Sequence, residues 1–108
     1  MMGLEKLVFF PDPYVPEPPP GVEERWITTD DGVRLRYRLR GRGGPCFVFV
    51  HGWCSNASHW ADQLRHFGRK HRVLAADRRG HGGSDRPEHG YTARRHADDL
   101  AGLLRRER

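Results

Sequence analysis

The sequence predicts an α/β fold built on a mixed sheet, and three observations predict it. An antiparallel strand pair occurs near the start, two short apolar runs follow, and each run is succeeded by a helical pattern. Strands joined through a helix usually run parallel, whereas a hairpin joins antiparallel strands. The expected order is therefore an antiparallel hairpin followed by strand, helix, strand and helix.

The chain divides into an N-terminal arm and one domain. Residues 11–20 (PDPYVPEPPP) hold six of the eight prolines. Proline lacks a backbone donor and biases its predecessor toward extended geometry. We therefore assign residues 1–21 to a stiff proline-rich arm and residues 22–108 to the domain.

The hairpin is predicted from a turn signal and an alternating pattern. Glu24–Thr29 is a short strand candidate, and Asp31-Gly32 is a two-residue hairpin signal. Residues 33–40 (VRLRYRLR) then alternate strictly, which indicates a strand buried on one face. The apolar face carries Val33, Leu35, Tyr37 and Leu39, and the other carries Arg34, Arg36, Arg38 and Arg40.

Cys46–Val50 is an uninterrupted apolar run, which is typical of a strand covered on both faces by helices. Arg72–Ala76 is predicted to be a second buried strand. Between them, Ser58 is a candidate N-cap for a helix over residues 59–67.

A glycine-punctuated loop over residues 78–90 follows the second run. Thr92 can then cap a final helix. Its apolar positions lie on one stripe, formed by Ala93, Ala97, Leu100 and Leu104.

The cysteine content and the apolar segments argue against several classes of protein. Two cysteines, Cys46 and Cys54, cannot make a disulfide framework, and their spacing matches no common zinc pattern. The apolar run near the start is too short for a signal peptide, and no segment approaches transmembrane length. We therefore expect a cytoplasmic protein without membrane contact.

The first motif is Val50-His51-Gly52-Trp53, at the end of a buried run. Ligand chemistry in α/β sheets gathers where strands end at their carboxyl side. A glycine there lets the backbone approach a substrate, and an oxyanion hole needs fixed N–H donors. The Trp53 N–H is the candidate donor; the alternative is a plain strand-to-loop turn.

The second motif, Asp77-Arg78-Arg79-Gly80-His81-Gly82-Gly83-Ser84, also follows a buried run directly. Its glycines fit neither dinucleotide-binding nor P-loop spacing, which argues against a phosphate loop. We expect a tight loop in which the Asp77 and Ser84 side chains satisfy backbone groups.

Taken in order, these features resemble the α/β-hydrolase family over residues 23–104. The resemblance rests on HGW at 51–53, the helix around Trp60 and Leu64, DRRGHGGS at 77–84, and the YT-initiated helix with ADDL at 97–100. Where the family often has a proline after His-Gly, this chain has Cys54 and Ser55.

The resemblance implies a hydrolase of small organic molecules such as esters, epoxides or haloalkanes. It implies an oxyanion donor at the Trp53 N–H, with substrate-binding positions at His51, Gly52 and Cys54, and residues 77–84 at the rim of the site. The family's nucleophile lies in a later Gly-x-Ser-x-Gly elbow, which the chain lacks. We therefore expect an N-terminal fragment, inactive alone, that uses no cofactor and no metal.

Three other interpretations of the sequence remain open. Cys54 is a nucleophile candidate if a base lies beside it. His59, Asp62 and His66 have metal-ligand spacing, although polar residues on an outer helical stripe are ordinary. The net charge of +5 and the four arginines of residues 33–40 leave a nucleic-acid or interaction module as the alternative function.

The family comparison also predicts one feature of the sheet. The nucleophile strand would pair with Cys46–Val50, so in this chain that run is expected to present an unpaired edge. An apolar edge without charge or proline is a template for pairing with another chain. We therefore expect self-association.

Overall fold

Four strands form one mixed sheet in the computed structural model, which describes residues 15–107. β1 (Glu23–Thr28) pairs antiparallel with β2 (Arg34–Arg40), which pairs antiparallel with β4 (Val73–Ala76). β3 (Phe47–Val50) pairs with β4 in parallel, giving the order β1-β2-β4-β3. The predicted mixed α/β sheet is confirmed, and each strand begins or ends within one residue of its expected position. The first fourteen residues of the predicted arm lie outside the described part.

The first helix begins differently from the prediction. A 3-10 turn over Ala57–Trp60 leads into α1 (Ala61–Phe67). The predicted cap at Ser58 is wrong, because the Asn56 side chain accepts the Ser58 N–H at 2.9 Å. Asn56 has the extended backbone typical of a cap, so the turn starts two residues earlier than a cap at Ser58 would allow.

The last helix, α2 (Ala93–Glu107), begins as predicted. The Thr92 hydroxyl accepts the backbone N–H of Arg95 at 3.1 Å. At its other end, the Glu107 carboxylate is nearly buried and accepts hydrogen bonds from Tyr37, Arg25 and Arg72. These bonds fasten the C-terminal turn of α2 to the sheet.

The sheet is covered by one helix on each face, and each face has its own apolar core. On the α1 face, Leu64, Val73 and Ala75 are buried, with Phe49 stacked on Trp60 at 5.0 Å between ring centroids. On the α2 face the buried residues are Tyr37, Leu39, Leu74, Ala76 and Leu103. Burying a side chain of the size of leucine stabilises a fold by roughly 1.5–3 kcal/mol, so both helices are held mainly by apolar contacts.

The arginine-bearing face of β2 departs from expectation. The apolar face is buried as predicted, but Arg38 on the other face is also buried, at 2% exposure. Its guanidinium pairs with Glu24 at 3.1 Å and donates to the Pro16 carbonyl. The cause is that residues 15–22 and α1 cover this face, whereas the alternation alone predicted solvent there.

β3 is less covered than its apolar sequence predicts. Phe47 and Phe49 pack on the α1 side, but Val50 is 42% exposed. Because α2 packs over Leu74 and Leu39, it leaves an open groove of about 730 Å³ lined by residues including Cys46, Leu74 and Leu104. No described strand pairs with the outer side of β3, so the expected free edge is present within residues 15–107.

Within the described residues, no helix combines the length and the apolar character that a membrane crossing requires.

Candidate active-site loops

The loop after β3 starts with a buried histidine. His51 is 4% exposed, and its Nε2 accepts the backbone N–H of Arg78 at 3.0 Å. Its Nδ1 lies 2.8 Å from the Gly52 carbonyl oxygen, so Nδ1 carries the proton. Burial lowers the pKa of His51 below its ordinary value of 6.5. The neutral ring thus joins the loop after β3 to the loop after β4.

Asp77 organises the loop after β4. Its carboxylate accepts the backbone N–H of Ala57 at 2.7 Å and that of Gly83 at 2.9 Å, and it pairs with Arg36 at 3.0 Å. The Ser84 hydroxyl donates to the Asp77 carbonyl at 2.6 Å and accepts the Arg36 N–H at 2.8 Å. The predicted roles of Asp77 and Ser84 in satisfying backbone groups are confirmed.

A second histidine bond runs the opposite way between these loops. His81 Nε2 accepts the backbone N–H of Cys54 at 3.2 Å, while its Nδ1 donates to the Arg79 carbonyl at 3.1 Å. The ring centroids of His51 and His81 lie 4.9 Å apart. We call this pair of imidazole-to-backbone bonds the histidine clasp. It holds Cys54 at φ +61°. This left-handed backbone conformation is unfavourable for any residue other than glycine.

The Trp53 N–H is among the backbone donors left open at the tip of the first loop. The Cys54 N–H is used by His81, and the Ser55 N–H donates to the Gly52 carbonyl at 3.3 Å. Among residues 15–107, the Trp53 N–H has no hydrogen-bond acceptor. The Trp53 side chain is itself 85% exposed, so the segment projects from the carboxyl end of the parallel strands.

A pocket of about 860 Å³ opens beside this segment, and we call it the rim pocket. The two loops and the start of α2 line it. Trp53 and Cys54 form one wall, whereas His51 and Gly52 are absent from the lining. Of the predicted site residues, two therefore reach the pocket directly. His51 acts on it only through the backbone bond to Arg78.

Sequence reasoning missed a buried ion-pair network behind the rim pocket. Arg79 is fully buried and pairs with Asp99 of α2 at 2.8 Å and with Asp31 of the hairpin turn at 2.9 Å. Arg95 reaches the same Asp99 at 2.9 Å. Hydrogen bonding to Arg79 holds the pKa of Asp31 well below its ordinary range. The sequence feature that could have indicated this network is the Arg78-Arg79 pair after the second buried strand. Charged residues are ordinarily expected at the surface.

Two of the alternative interpretations can be compared with the geometry. Among the described residues, Cys54 Sγ makes no hydrogen bond to a base, and its neighbour His81 bonds the Cys54 backbone instead. The same part of the chain holds no group of three His, Cys, Asp or Glu side chains arranged for a metal. His59 bonds the Ser55 hydroxyl at 2.7 Å, which is a local contact at the helix start.

Comparison with known proteins agrees with this geometry. A family model described as alpha/beta hydrolase fold matches residues 45–107. The chain is 43% identical over 79 residues to a non-heme chloroperoxidase of Streptomyces lividans, covering 71% of this chain and 29% of that protein. It is 38% identical over 81 residues to a bifunctional esterase/perhydrolase of Acinetobacter calcoaceticus, covering 73% of this chain and 29% of that protein.

Among solved structures, the Cif epoxide hydrolase of Acinetobacter nosocomialis superposes with a TM-score of 0.77 at 27% identity. That match covers 83% of this chain and 28% of the other. The chain thus spans about three tenths of the length of these relatives. The residues that match the family model, 45–107, run from just before β3 to the end of α2, and the chain belongs to the α/β-hydrolase fold family.

Proposed function

We propose that this chain supplies the oxyanion-binding side of the active site of a hydrolase that acts on small organic molecules. The observation that carries the proposal is the open Trp53 N–H at the mouth of the rim pocket. A donor fixed before charge develops stabilises a transition-state oxyanion without reorganisation. The histidine clasp supplies that fixing, because it immobilises the next residue, Cys54.

The substrate class is proposed from the relatives together with the pocket. The relatives are named as a chloroperoxidase, an esterase/perhydrolase and an epoxide hydrolase. A pocket of about 860 Å³ lies within the range of small-molecule sites. We therefore favour an ester or a related small organic molecule whose reacting oxygen lies against Trp53, with Cys54 in the pocket wall and with His51 and Gly52 shaping the loop.

A chimaera with the Acinetobacter esterase/perhydrolase tests the donor. The matching segment of that enzyme, 81 residues in the alignment, is replaced by that of this chain, and hydrolysis of p-nitrophenyl acetate is measured. Trp53→Pro removes the N–H, and we expect kcat to fall about 10²–10³-fold, as when an oxyanion donor is lost. Trp53→Ala is the matched control, because it removes the exposed indole but keeps the N–H.

Two results of this experiment would contradict the proposed role of the Trp53 N–H. If the proline variant retains the kcat of the alanine variant while both melt at the same temperature, Trp53 is not the donor. If the unsubstituted chimaera folds but hydrolyses nothing, the segment does not serve as an oxyanion site in this context. Either result would remove the proposal.

For the 108-residue chain alone, we propose that it hydrolyses no ester above background. Its serines are Ser55, Ser58 and Ser84, and none lies in a Gly-x-Ser-x-Gly elbow. Turnover of p-nitrophenyl acetate that disappears in Cys54→Ala would replace this proposal with a thiol nucleophile.

The nucleic-acid alternative is weakened by the engagement of the β2 arginines. Arg36 pairs with Asp77 and Arg38 with Glu24, and Arg40 donates to the Arg65 carbonyl at 3.0 Å. We propose that any binding to DNA or RNA is weak, non-specific and lost at moderate salt.

We also propose that the chain self-associates through the outer edge of β3. This edge has the sequence FVFV, which carries no charge and no proline, and the adjoining groove is lined by Cys46, Leu74 and Leu104. Unpaired backbone donors and acceptors beside apolar side chains favour pairing with another strand.

A further inference from the structure

Positive charge is concentrated around the rim pocket. Two arginines, Arg78 and Arg86, line it beside the imidazoles of His81 and His96, and Glu88 is the one carboxylate among the lining residues. Both histidines belong to the loop and helix that flank the oxyanion segment. A ligand that enters this pocket therefore meets more cationic than anionic groups.

Arg78 is the least satisfied of these groups. Its Nε is buried without a hydrogen-bond partner in the described residues, and no carboxylate of residues 15–107 lies within 4.0 Å of its guanidinium. The next residue, Arg79, shows the contrast, because its guanidinium binds both Asp31 and Asp99. A buried donor that lacks an acceptor costs free energy. The Arg78 guanidinium is therefore suited to donate a hydrogen bond to an acceptor atom of a ligand.

The backbone that carries Arg78 is held in place. The residue follows Asp77, whose carboxylate makes three contacts, and its own N–H donates to His51 at 3.0 Å. The positive charge also reaches its neighbours. Burial first, and then the charge of Arg78, lowers the pKa of His96. The guanidinium is therefore carried by a fixed backbone and contributes positive charge to its surroundings.

A second arginine adds charge on the same wall. Arg86 donates from Nη1 to the carbonyl oxygens of Gly82 at 3.0 Å and Ser84 at 3.3 Å. Among residues 15–107 it has no carboxylate partner. These bonds hold the side chain in place without neutralising it.

We propose that Arg78 binds the carboxylate of a small organic anion in the rim pocket, beside the Trp53 N–H. The planar guanidinium matches a carboxylate in a two-point arrangement, and Trp53, Pro87 and Tyr91 offer apolar walls to the carbon skeleton. Where this anion is the substrate, the inference rests on the proposed hydrolase function and specifies a substrate bearing a carboxylate away from its reacting centre. Carboxylate binding itself does not require turnover.

The test is an NMR titration of the ¹⁵N-labelled 108-residue chain with sodium benzoate at constant ionic strength. We expect shifts of the Arg78 Nε–H and of the pocket amides. In Arg78→Gln, the Kd should rise about tenfold or more, the scale of one lost charge-assisted contact. Arg94→Gln is the control, because Arg94 is 88% exposed on α2 and outside the pocket, and its Kd should stay unchanged. Benzamide, which is neutral and of similar shape, should bind far more weakly than benzoate.

Several results would overturn the inference. They are benzoate binding that is equal in Arg78→Gln and the parent chain, benzamide binding as tight as benzoate, and an equal loss in the Arg94 control. Should Arg78→Gln fail to give a folded spectrum, Arg78→Lys serves instead, with several-fold weaker benzoate binding expected and no change contradicting it. Failure of the esterase chimaera with benzoate binding intact would reject only the hydrolase proposal. Turnover without Arg78-dependent binding would reject only this inference.

Discussion

The imidazole of His81 accepts the backbone N–H of Cys54 at 3.2 Å, which joins the two loops of the site. His51 makes the reverse connection by accepting the Arg78 N–H at 3.0 Å. Each loop therefore supplies one imidazole and one backbone donor to the other. Because both rings accept at Nε2, both must be unprotonated there for the histidine clasp to hold.

Removing one half of the clasp should loosen the oxyanion segment locally. In His81→Ala, hydrogen exchange at the Cys54 amide is expected to become about tenfold faster, the scale of one lost hydrogen bond. His89→Ala is the matched control, because His89 is exposed in the same long loop. Equal exchange at Cys54 in both variants, measured by NMR, would show that the His81 bond does not restrain the loop.

Acidification should destabilise the chain partly through His51. Burial lowers the pKa of His51 below 6.5, the neighbouring His81 and Arg78 add to this effect, and the Gly52 carbonyl and Asp77 oppose it. The unfolded chain therefore takes up a proton at a higher pH than the folded chain does. The stability from neutral His51 is complete above pH 6.5 and declines as the pH falls below it.

The measurement is urea unfolding at a series of pH values between 7.5 and 5.5. The free energy of unfolding should fall with pH in the parent chain and fall less in His51→Gln. His96, whose pKa is also lowered, accounts for part of the remaining slope. A slope in His51→Gln as steep as in the parent would contradict the assignment, whereas His89→Gln should keep the parent's slope.

Arg79 in the buried ion-pair network should contribute more to the free energy of unfolding than an exposed arginine does. Arg79 is fully buried between two carboxylates, so Arg79→Met leaves Asp99 without its main partner. Breaking a buried pair costs about 3–5 kcal/mol. Arg94→Met is the control, since the Arg94–Asp98 pair is exposed and 3.6 Å long and is worth under about 1 kcal/mol. Similar urea midpoints for the two variants would contradict a structural role for Arg79.

Much of the fold was predictable because its patterns are local. Strict alternation over residues 33–40 identified β2, and Thr92 marked the start of α2. Long-range contacts were not predictable from such patterns. Alternation assigned Arg38 to solvent, yet residues 15–22 and α1 cover that face.

In the site, too, local contacts were predictable from the sequence and long-range contacts were not. Its backbone-satisfying loop over Asp77–Ser84 was predicted because short polar side chains beside glycines satisfy nearby backbone groups. The histidine clasp was not predicted, because it joins residues 27 positions apart. The Arg79 network was missed for the same reason, since its acids come from the hairpin turn and from α2.

Two glycines with positive φ should respond differently to alanine. Gly82 has φ +52°, and a Cβ there would overlap the Asp77 carboxylate. Gly32 has φ +83° with nothing within 4 Å of its Cβ position. Gly32→Ala should cost about 1–2 kcal/mol from the backbone alone. Gly82→Ala should cost about 2 kcal/mol more, because displacing the carboxylate breaks charge-assisted hydrogen bonds. Equal urea midpoints would show that Asp77 moves aside freely.

The two edges of the sheet predict where self-association occurs. β1 forms one edge and carries Glu23, Glu24 and Arg25, charges that discourage strand pairing. β3 forms the other edge and carries none. We therefore expect light scattering after size exclusion to give a mass above the 12.5 kDa of the monomer, rising with protein concentration.

A lysine placed on each edge identifies the one that pairs. Val50→Lys puts a charge on β3 at a side chain that is 42% exposed, and Trp26→Lys puts one on β1 at a side chain that is 38% exposed. Val50→Lys should restore a mass near the monomer, because burying an unpaired charge at a strand interface is costly. Trp26→Lys should leave the mass unchanged, although it removes the contact between the Trp26 ring and Arg34 at 4.3 Å. A parent chain that stays monomeric at all concentrations, or an equal effect of both lysines, would show that the β3 edge does not mediate association.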